Sequence, residues 1–193
     1  LRDHTVSSLR QDLQIDLGAI AKGYALDLAI QQLQREGITQ ASLNLGGQVL
    51  LIGNSLPTFI TEVKIQSPRT NTFLGRVTLK SGESISTSGD YWRNNIVNGR
   101  TIHHLLDPHT GSPVSHTQAV TVIANSGVLA DAASTALMAA GPERWPAVAR
   151  ALGIQEVLRI DSIGNIQVTA SLHARLRLTP ETLRHHSIQI VTL

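Results

Sequence analysis

Four segments of the chain bring acids, hydroxyls, a lysine, histidines and glycines together in ways a plain surface loop does not require. The first, Asp16-Leu17-Gly18-Ala19-Ile20-Ala21-Lys22-Gly23-Tyr24, places an acid, small residues and a lysine at the entrance of a helix. Exposed N–H groups and the positive end of the dipole there favour an anion. Lys22 could meet a phosphate, although the spacing alone favours a tight strand-to-helix turn with a surface lysine. No Gly-Lys-Ser/Thr follows a glycine-rich loop, which excludes the P-loop pattern. The second segment, Asn44-Leu45-Gly46-Gly47, reads first as a hairpin turn at φ > 0, and otherwise as a close backbone approach to a ligand.

The third joins Ser86-Thr87-Ser88-Gly89-Asp90-Tyr91 to His103-His104-Leu105-Leu106-Asp107-Pro108-His109-Thr110-Gly111. Ser88-Gly89-Asp90 offers hydroxyl and backbone donors, and Asp107-Pro108 with Thr110-Gly111 reads as a turn. A histidine beside a hydroxyl nucleophile can act as general base, its unperturbed pKa being about 6.5. His103 and His109 read as surface loop residues, and chemistry alone does not separate His104 from them. In the fourth segment, from Ser126 to Leu137, Asp131 and Thr135 fall at i and i+4 on one helix face with Ser134 at i+3. The helix is otherwise Ala-rich and apolar, so this oxygen patch should be buried, and a buried carboxylate needs a partner. A hard cation such as Mg²⁺ takes a carboxylate, a hydroxyl, a carbonyl and phosphate or water oxygens. An Asp capping a neighbouring loop, with Thr135 bonded back to its own helix, is the other reading, and the residues leave both open.

These segments need elements to hold them. Residues 21–35 have helical spacing in Leu26, Ile30 and Leu33, with Gly37 as the stop. Strands are expected at 41–45, 48–52, 61–66 and 75–80, the last ending in the turn Lys80-Ser81-Gly82-Glu83. Asn98-Gly99 between 95–97 and 100–103 is a two-residue hairpin signal. Residues 119–124 read as a buried strand. Asn125 or Ser126 caps a helix to about Ala140, ended by Gly141-Pro142. Another helix follows over 144–152, then strands at 156–160 and 165–169 and an edge strand at 187–193. Hairpins among helices predict an α+β fold with mixed and antiparallel sheets rather than a doubly wound parallel sheet, over a single domain spanning residues 1–193.

Bulk properties narrow the function classes. Of 193 residues, 41% are hydrophobic and 16% charged, the make-up of an ordinary globular chain. Lys+Arg 16 against Asp+Glu 14 leaves a net charge of +2, too small a footprint for nucleic acid despite a pI near 9.4. Arg184-His185-His186 reads as a solvated face. The absence of cysteine excludes disulfides, thiolate nucleophiles and Cys-ligated metals. No apolar run approaches the roughly 18 residues of a membrane span, and residues 1–4 are not a signal peptide. The chain opens without Met, so an upstream segment is expected.

Taken together and in this order, the four segments resemble the FAD:protein FMN transferases, the ApbE family. The resemblance runs from Ile15 to about Leu178 and is most specific at 16–24, 86–91, 104–111 and 130–137. It implies an ApbE-like, T-fold-related α+β architecture, FAD as substrate in a cleft, and Mg²⁺ on its pyrophosphate. The implied activity is transfer of FMN to a Thr or Ser hydroxyl of an acceptor protein, releasing AMP. A Mg²⁺-dependent FAD pyrophosphatase and a non-catalytic flavin-binding module are the alternatives. Carried over by motif, the metal site matches Asp131 and Thr135 with Ser134 close by and the Ala19 carbonyl. Asp16 and Lys22 match flavin-nucleotide contacts, and Leu105 should lie against the nucleotide. His104 heads the His-x-x-Asp-Pro motif as the expected catalytic base, with Asp90 or a water in its place otherwise. Asn44, Gly46, Gly47, Ser88, Gly89 and Asp90 fall in cleft-lining motifs. His109 stands where the family usually has Arg, and the family's N-terminal portion is expected to be missing. The same resemblance implies a bacterial periplasmic or inner-membrane lipoprotein setting, with any membrane tie through an N-terminal lipid anchor outside this chain.

Overall fold

The computed structural model describes Thr5 and residues 7–53, 62–91, 94–97 and 100–193. Its largest sheet is built from β1 (Ala41–Leu45), β2 (Gln48–Ile52), β5 (Ser84–Gly89), β8 (Thr117–Ala124), β9 (Glu156–Asp161), β10 (Ile166–Thr169) and β12 (Ile188–Val191), in that spatial order. Every neighbouring pair is antiparallel except β10 and β12, which run parallel. A second sheet orders β11 (Leu176–Leu178), β4 (Phe73–Thr78) and β3 (Glu62–Gln66), and β6 (Asn94–Val97) pairs with β7 (Arg100–His103). Helices α1 (Ala21–Arg35) and α2 (Gly127–Ala151) pack beside the large sheet, and the short α3 (Ala170–His173) and α4 (Pro180–His185) flank β11. The expected α+β class with mixed and antiparallel sheets is thus the class found.

β8 explains the layering. All eight of its residues are buried, because its alternating side chains feed two cores. Ala119 and Ile123 join Leu51, Leu74, Val77, Ile85 and Leu158 beneath the small sheet, whereas Val120, Val122 and Ala124 join Ala130, Ala133, Leu137, Met138 and Trp145 beneath α2. A third cluster of Leu26, Ile30, Leu50 and Ile52 seats α1.

Most expected elements stand where the periodicity puts them. Ser126, not Asn125, caps α2, its hydroxyl accepting from the Leu129 N–H at 3.3 Å. The expected stop is a break inside α2, where Gly141 takes φ 77° and ψ 179° before the helix resumes. Asn98-Gly99, Thr61 and residues 1–4 lie outside the described residues, although β6 and β7 on either side of Asn98-Gly99 do pair antiparallel. One element is a correction. The segment 86–91 has no strand among those expected from the sequence, yet residues 84–89 form β5, paired with both β2 and β8.

Candidate active site

The site begins where α1 crosses α2. A Cβ on Gly23 would stand 2.1 Å from the Gly127 carbonyl oxygen, and one on Gly127 2.5 Å from that of Gly23. Only glycine at both positions lets the helices approach this closely, and each N-terminus then comes within reach of the other helix. Asp27 of α1 accepts from the N–H groups of Gly127 (2.6 Å) and Val128 (3.0 Å) and from the Ser126 hydroxyl (2.9 Å). Asp131 of α2 returns the service. Its Oδ2 accepts from the Gly23 N–H at 3.1 Å, in a helix whose own N-cap residue, Ile20, supplies no side-chain bond.

The other oxygen of Asp131 faces charge and hydroxyl. Lys22 Nζ lies 2.7 Å from Oδ1, and the Ser86 hydroxyl lies 3.5 Å away. The Asp131 side chain is 2% exposed and that of Lys22 38%, so the pair opens to solvent from the lysine side. On β5 the period of two turns Ser84, Ser86 and Ser88 toward α2. Two strand residues advance about 6.7 Å and four helical residues about 6 Å, so this stripe keeps step with Asp131 and Thr135. Ser88 Oγ stands 2.8 Å from Ser134 Oγ and 2.9 Å from Thr135 Oγ1, while the Ser134 hydroxyl donates to the Asp131 carbonyl at 2.9 Å. Each hydroxyl has one proton, so the chain of donation runs Thr135 to Ser88 to Ser134 to that carbonyl. Thr135 thereby keeps its lone pairs outward. Deeper in, Gln48 donates to the Gly127 carbonyl at 2.8 Å, and its Oε1 is buried with no bond among the described residues.

This donor set suits a hard cation. With the Gly23 N–H turned to Asp131, the Ala19 carbonyl, like that of Gly18, receives no backbone N–H among the described residues, whereas the Leu17 and Ile20 carbonyls do. Asp131, Thr135 and Ala19 thus offer a carboxylate, a hydroxyl and a peptide oxygen from two adjoining helix starts. Among the described residues no three His, Cys, Asp or Glu side chains converge. A soft or transition metal would want such a cluster, but a hard ion that completes its shell with external oxygens does not. The Lys22 ammonium already demonstrates that positive charge is accommodated at Asp131.

The remaining predicted residues divide. Asp16 Oδ1 accepts from the Gly18 N–H at 2.6 Å and holds the loop that enters α1. Asn44 Oδ1 accepts from the Gly47 N–H at 3.0 Å, pinning a two-residue turn in which Gly46 and Gly47 take φ of 57° and 90°. A Cβ on Gly46 would lie 3.7 Å from Lys22 Cδ, so this hairpin tip reaches the site. Gly89 leaves room for the Tyr91 ring, which a Cβ would meet at 2.3 Å. Asp90 is gripped through both oxygens by Arg69, at 2.7 and 2.6 Å, which holds the guanidinium pKa above its ordinary value. His104 is exposed just beyond β7. Leu105 is buried in the core under α2, and the exposed side chain is that of its neighbour Leu106.

His103 is a correction: expected on the surface, it is 6% exposed. Its Nε2 meets the Val114 carbonyl at 2.8 Å and its Nδ1 accepts from the Leu105 N–H at 3.2 Å, so the imidazole locks the loop. His109 is at the surface as expected, 3.1 Å from Arg144. The expected Asp107 turn forms, the Gly111 N–H bonding the Asp107 carbonyl at 2.8 Å. The His109 N–H bond to the Asp107 carboxylate lowers that group's pKa, outweighing a smaller effect of burial. Sequence reading missed Asp27, Gln48 and Arg69, and gave Ser86, inside a segment it singled out, no role of its own. Of these only Ser86 carried a signal, the alternation Ser84-x-Ser86-x-Ser88.

Known proteins resemble this chain in sequence and fold. A model of the ApbE family matches residues 1–158. The FAD:protein FMN transferase of Rhodobacter capsulatus is 42% identical over 174 residues, which is 89% of this chain and 33% of that protein. Its namesake in Escherichia coli K12 is 36% identical over 74% of this chain and 41% of its own length. Among solved structures, the ApbE protein of Thermotoga maritima superposes with a TM-score of 0.76 at 34% identity, over 84% of this chain and 53% of that one. The flavin transferase ApbE of Vibrio cholerae gives 0.71 at 31% identity, over 85% and 53%. The chain therefore spans between a third and about half of the length of these relatives.

Proposed function

The chain belongs to the ApbE family, and on that premise we propose that it transfers FMN from FAD to a Thr or Ser hydroxyl of an acceptor protein. The observation that carries this reading is the oxygen cluster of Asp131, Ser88, Ser134 and Thr135 set against the lysine-bearing start of α1. Asp131, Thr135 and the Ala19 carbonyl would hold Mg²⁺, with Ser134 supporting Thr135 through Ser88. When bound, the ion neutralises pyrophosphate charge and makes AMP a better leaving group.

The chain's own groups do the rest. Asp16 shapes the entrance of α1, and the Asn44 turn brings Gly46 against the Lys22 stem. Lys22 offers its ammonium to the phosphates. His104, exposed at the end of β7, takes the proton of the acceptor hydroxyl as that oxygen bonds to the FMN phosphorus and the bond to AMP breaks. Asp90 is the weaker candidate for this base, because Arg69 engages both of its oxygens. No helix among the described residues is long and apolar enough to cross a membrane; the periplasmic side of a bacterial membrane is the setting we assign from the family.

Incubating the protein with FAD, Mg²⁺ and a Thr-bearing acceptor, followed by mass spectrometry, tests the reading. Covalent FMN and AMP should appear together and vanish with EDTA or in Asp131→Ala. AMP with free FMN would make the activity a pyrophosphatase. FAD retained without AMP would make the chain a binding module.

A further inference from the structure

The carboxylate assigned above to a divalent cation already has a cation on it. Lys22 Nζ lies 2.7 Å from Asp131 Oδ1, Oδ2 is committed to the Gly23 N–H, and Ser86 stands 3.5 Å from Oδ1. A carboxylate 2% exposed cannot stay ionised cheaply without a positive partner. Lys22 meets that need from a flexible four-carbon stem that lies beside the Gly46 turn and is 38% exposed. A second cation arriving at Oδ1 would be repelled by the ammonium and would compete for the same lone pairs.

Resting on the function proposed above, we propose that Lys22 is a resident counter-ion which the divalent metal displaces from Asp131, and that the freed ammonium then engages the substrate phosphates. The lysine has an open side to move into, whereas Asp131 is fixed by the α1–α2 crossing. Metal alone binds weakly, because it must break the ion pair. Metal with a phosphate anion binds more tightly, because the displaced ammonium acquires a new partner. Linkage makes this coupling reciprocal. Lys22 thereby keeps the site from holding a metal ion in the absence of its anionic substrate.

The chain has three lysines, Lys22, Lys64 and Lys80, so acylation of amines in the unaltered protein reads Lys22 against two internal standards. Under EDTA, Lys22 should be protected. Titration with Mn²⁺ should raise its reactivity with the midpoint that calorimetry gives for Mn²⁺ binding, and inorganic pyrophosphate should lower it again, with Lys64 and Lys80 unmoved. Lys22→Met, or Lys22→Gln where the methionine variant fails to fold, should bind Mn²⁺ alone about tenfold more tightly and lose the pyrophosphate effect. Lys22 acylation that stays constant while Mn²⁺ saturates overturns the exchange, as does weaker or unchanged Mn²⁺ affinity in both variants. Asp131→Asn separates the two layers. If it binds Mn²⁺ as the unaltered protein does, the metal site itself is wrongly assigned. If it abolishes binding while Lys22 in the unaltered protein never moves, the exchange alone fails.

Discussion

An acid in a nearly dry pocket is tolerated only while positive partners surround it, and this makes the two ends of the Lys22–Asp131 pair unequal. Removing the acid leaves an ammonium that can turn to water; removing the lysine strands a charge that is 2% exposed. Lys22→Met should therefore cost about 3 kcal/mol, and Asp131→Asn about 1 kcal/mol, since the amide oxygen still accepts from Gly23. Urea denaturation of both variants measures the difference, and Mg²⁺ should restore part of the loss in Lys22→Met only. At the base, His104→Gln should lower kcat by about 10²–10⁴-fold and remove the acid limb of the pH–rate profile. Asp90→Asn should leave that limb in place; a lost limb there would move the role of base to Asp90. The oxygen patch was legible because i, i+3 and i+4 share a helix face. Its partner Lys22 was not, since nothing local relates residues 109 positions apart.

Among the elements, α1 and α2 each cap the other. Asp27 covers the first N–H groups of α2 while Asp131 covers Gly23 at the start of α1, and the Gly23–Gly127 contact makes both exchanges possible. Asp27→Ala should lose about 1–2 kcal/mol through the uncapped N–H groups. Gly23→Ala should lose about 3 kcal/mol by overpacking and weaken divalent binding besides, because the helix starts that carry Ala19 and Asp131 would be forced apart. A thermal melt with and without Mg²⁺ checks both; unchanged metal stabilisation in Gly23→Ala would detach the crossing from the site. Reading the sequence located α1 and α2 because their apolar spacing is long. It misjudged β5, whose Ser84, Ser86 and Ser88 alternate with Ile85, Thr87 and Gly89 rather than with plainly apolar residues. A strand whose polar face packs on the polar face of a helix carries no hydrophobic period, and this one is polar because it lines the site. The late strand β11 and the short helices α3 and α4 went unread for a different reason, being too brief to establish any period.

Across the whole molecule, one charge cluster ties the small sheet to the large one. Arg175, between α3 and β11, bonds Glu83 just before β5 through both of its oxygens, Glu156 at the start of β9 at 3.2 Å, and the Thr78 carbonyl at the end of β4 at 2.7 Å. The two acids end on opposite sides of the ordinary carboxylate pKa. Burial pushes Glu83 up, but the Arg175 bond, the Lys80 N–H and the two nearby cations outweigh it and leave the group lowered. Burial dominates at Glu156, helped by the charge of Glu83, and leaves it raised, with Oε2 buried and unbonded among the described residues. The signs then differ. A lowered carboxylate contributes stability that is present above its unfolded pKa and is lost as pH falls through the folded value. A raised one costs stability once it ionises, and that cost disappears as pH falls below its raised value. Glu83→Gln should therefore destabilise by about 3 kcal/mol near neutral pH, with the deficit closing in acid. Glu156→Gln should stabilise by about 1 kcal/mol near neutral pH, with the gain closing at higher pH than the Glu83 deficit does. Melting temperatures of the three proteins across the acid-to-neutral range give the answer. Parallel shifts of the same sign in both variants would mean that the cluster acts as one indivisible network rather than as a favourable pair with a strained neighbour.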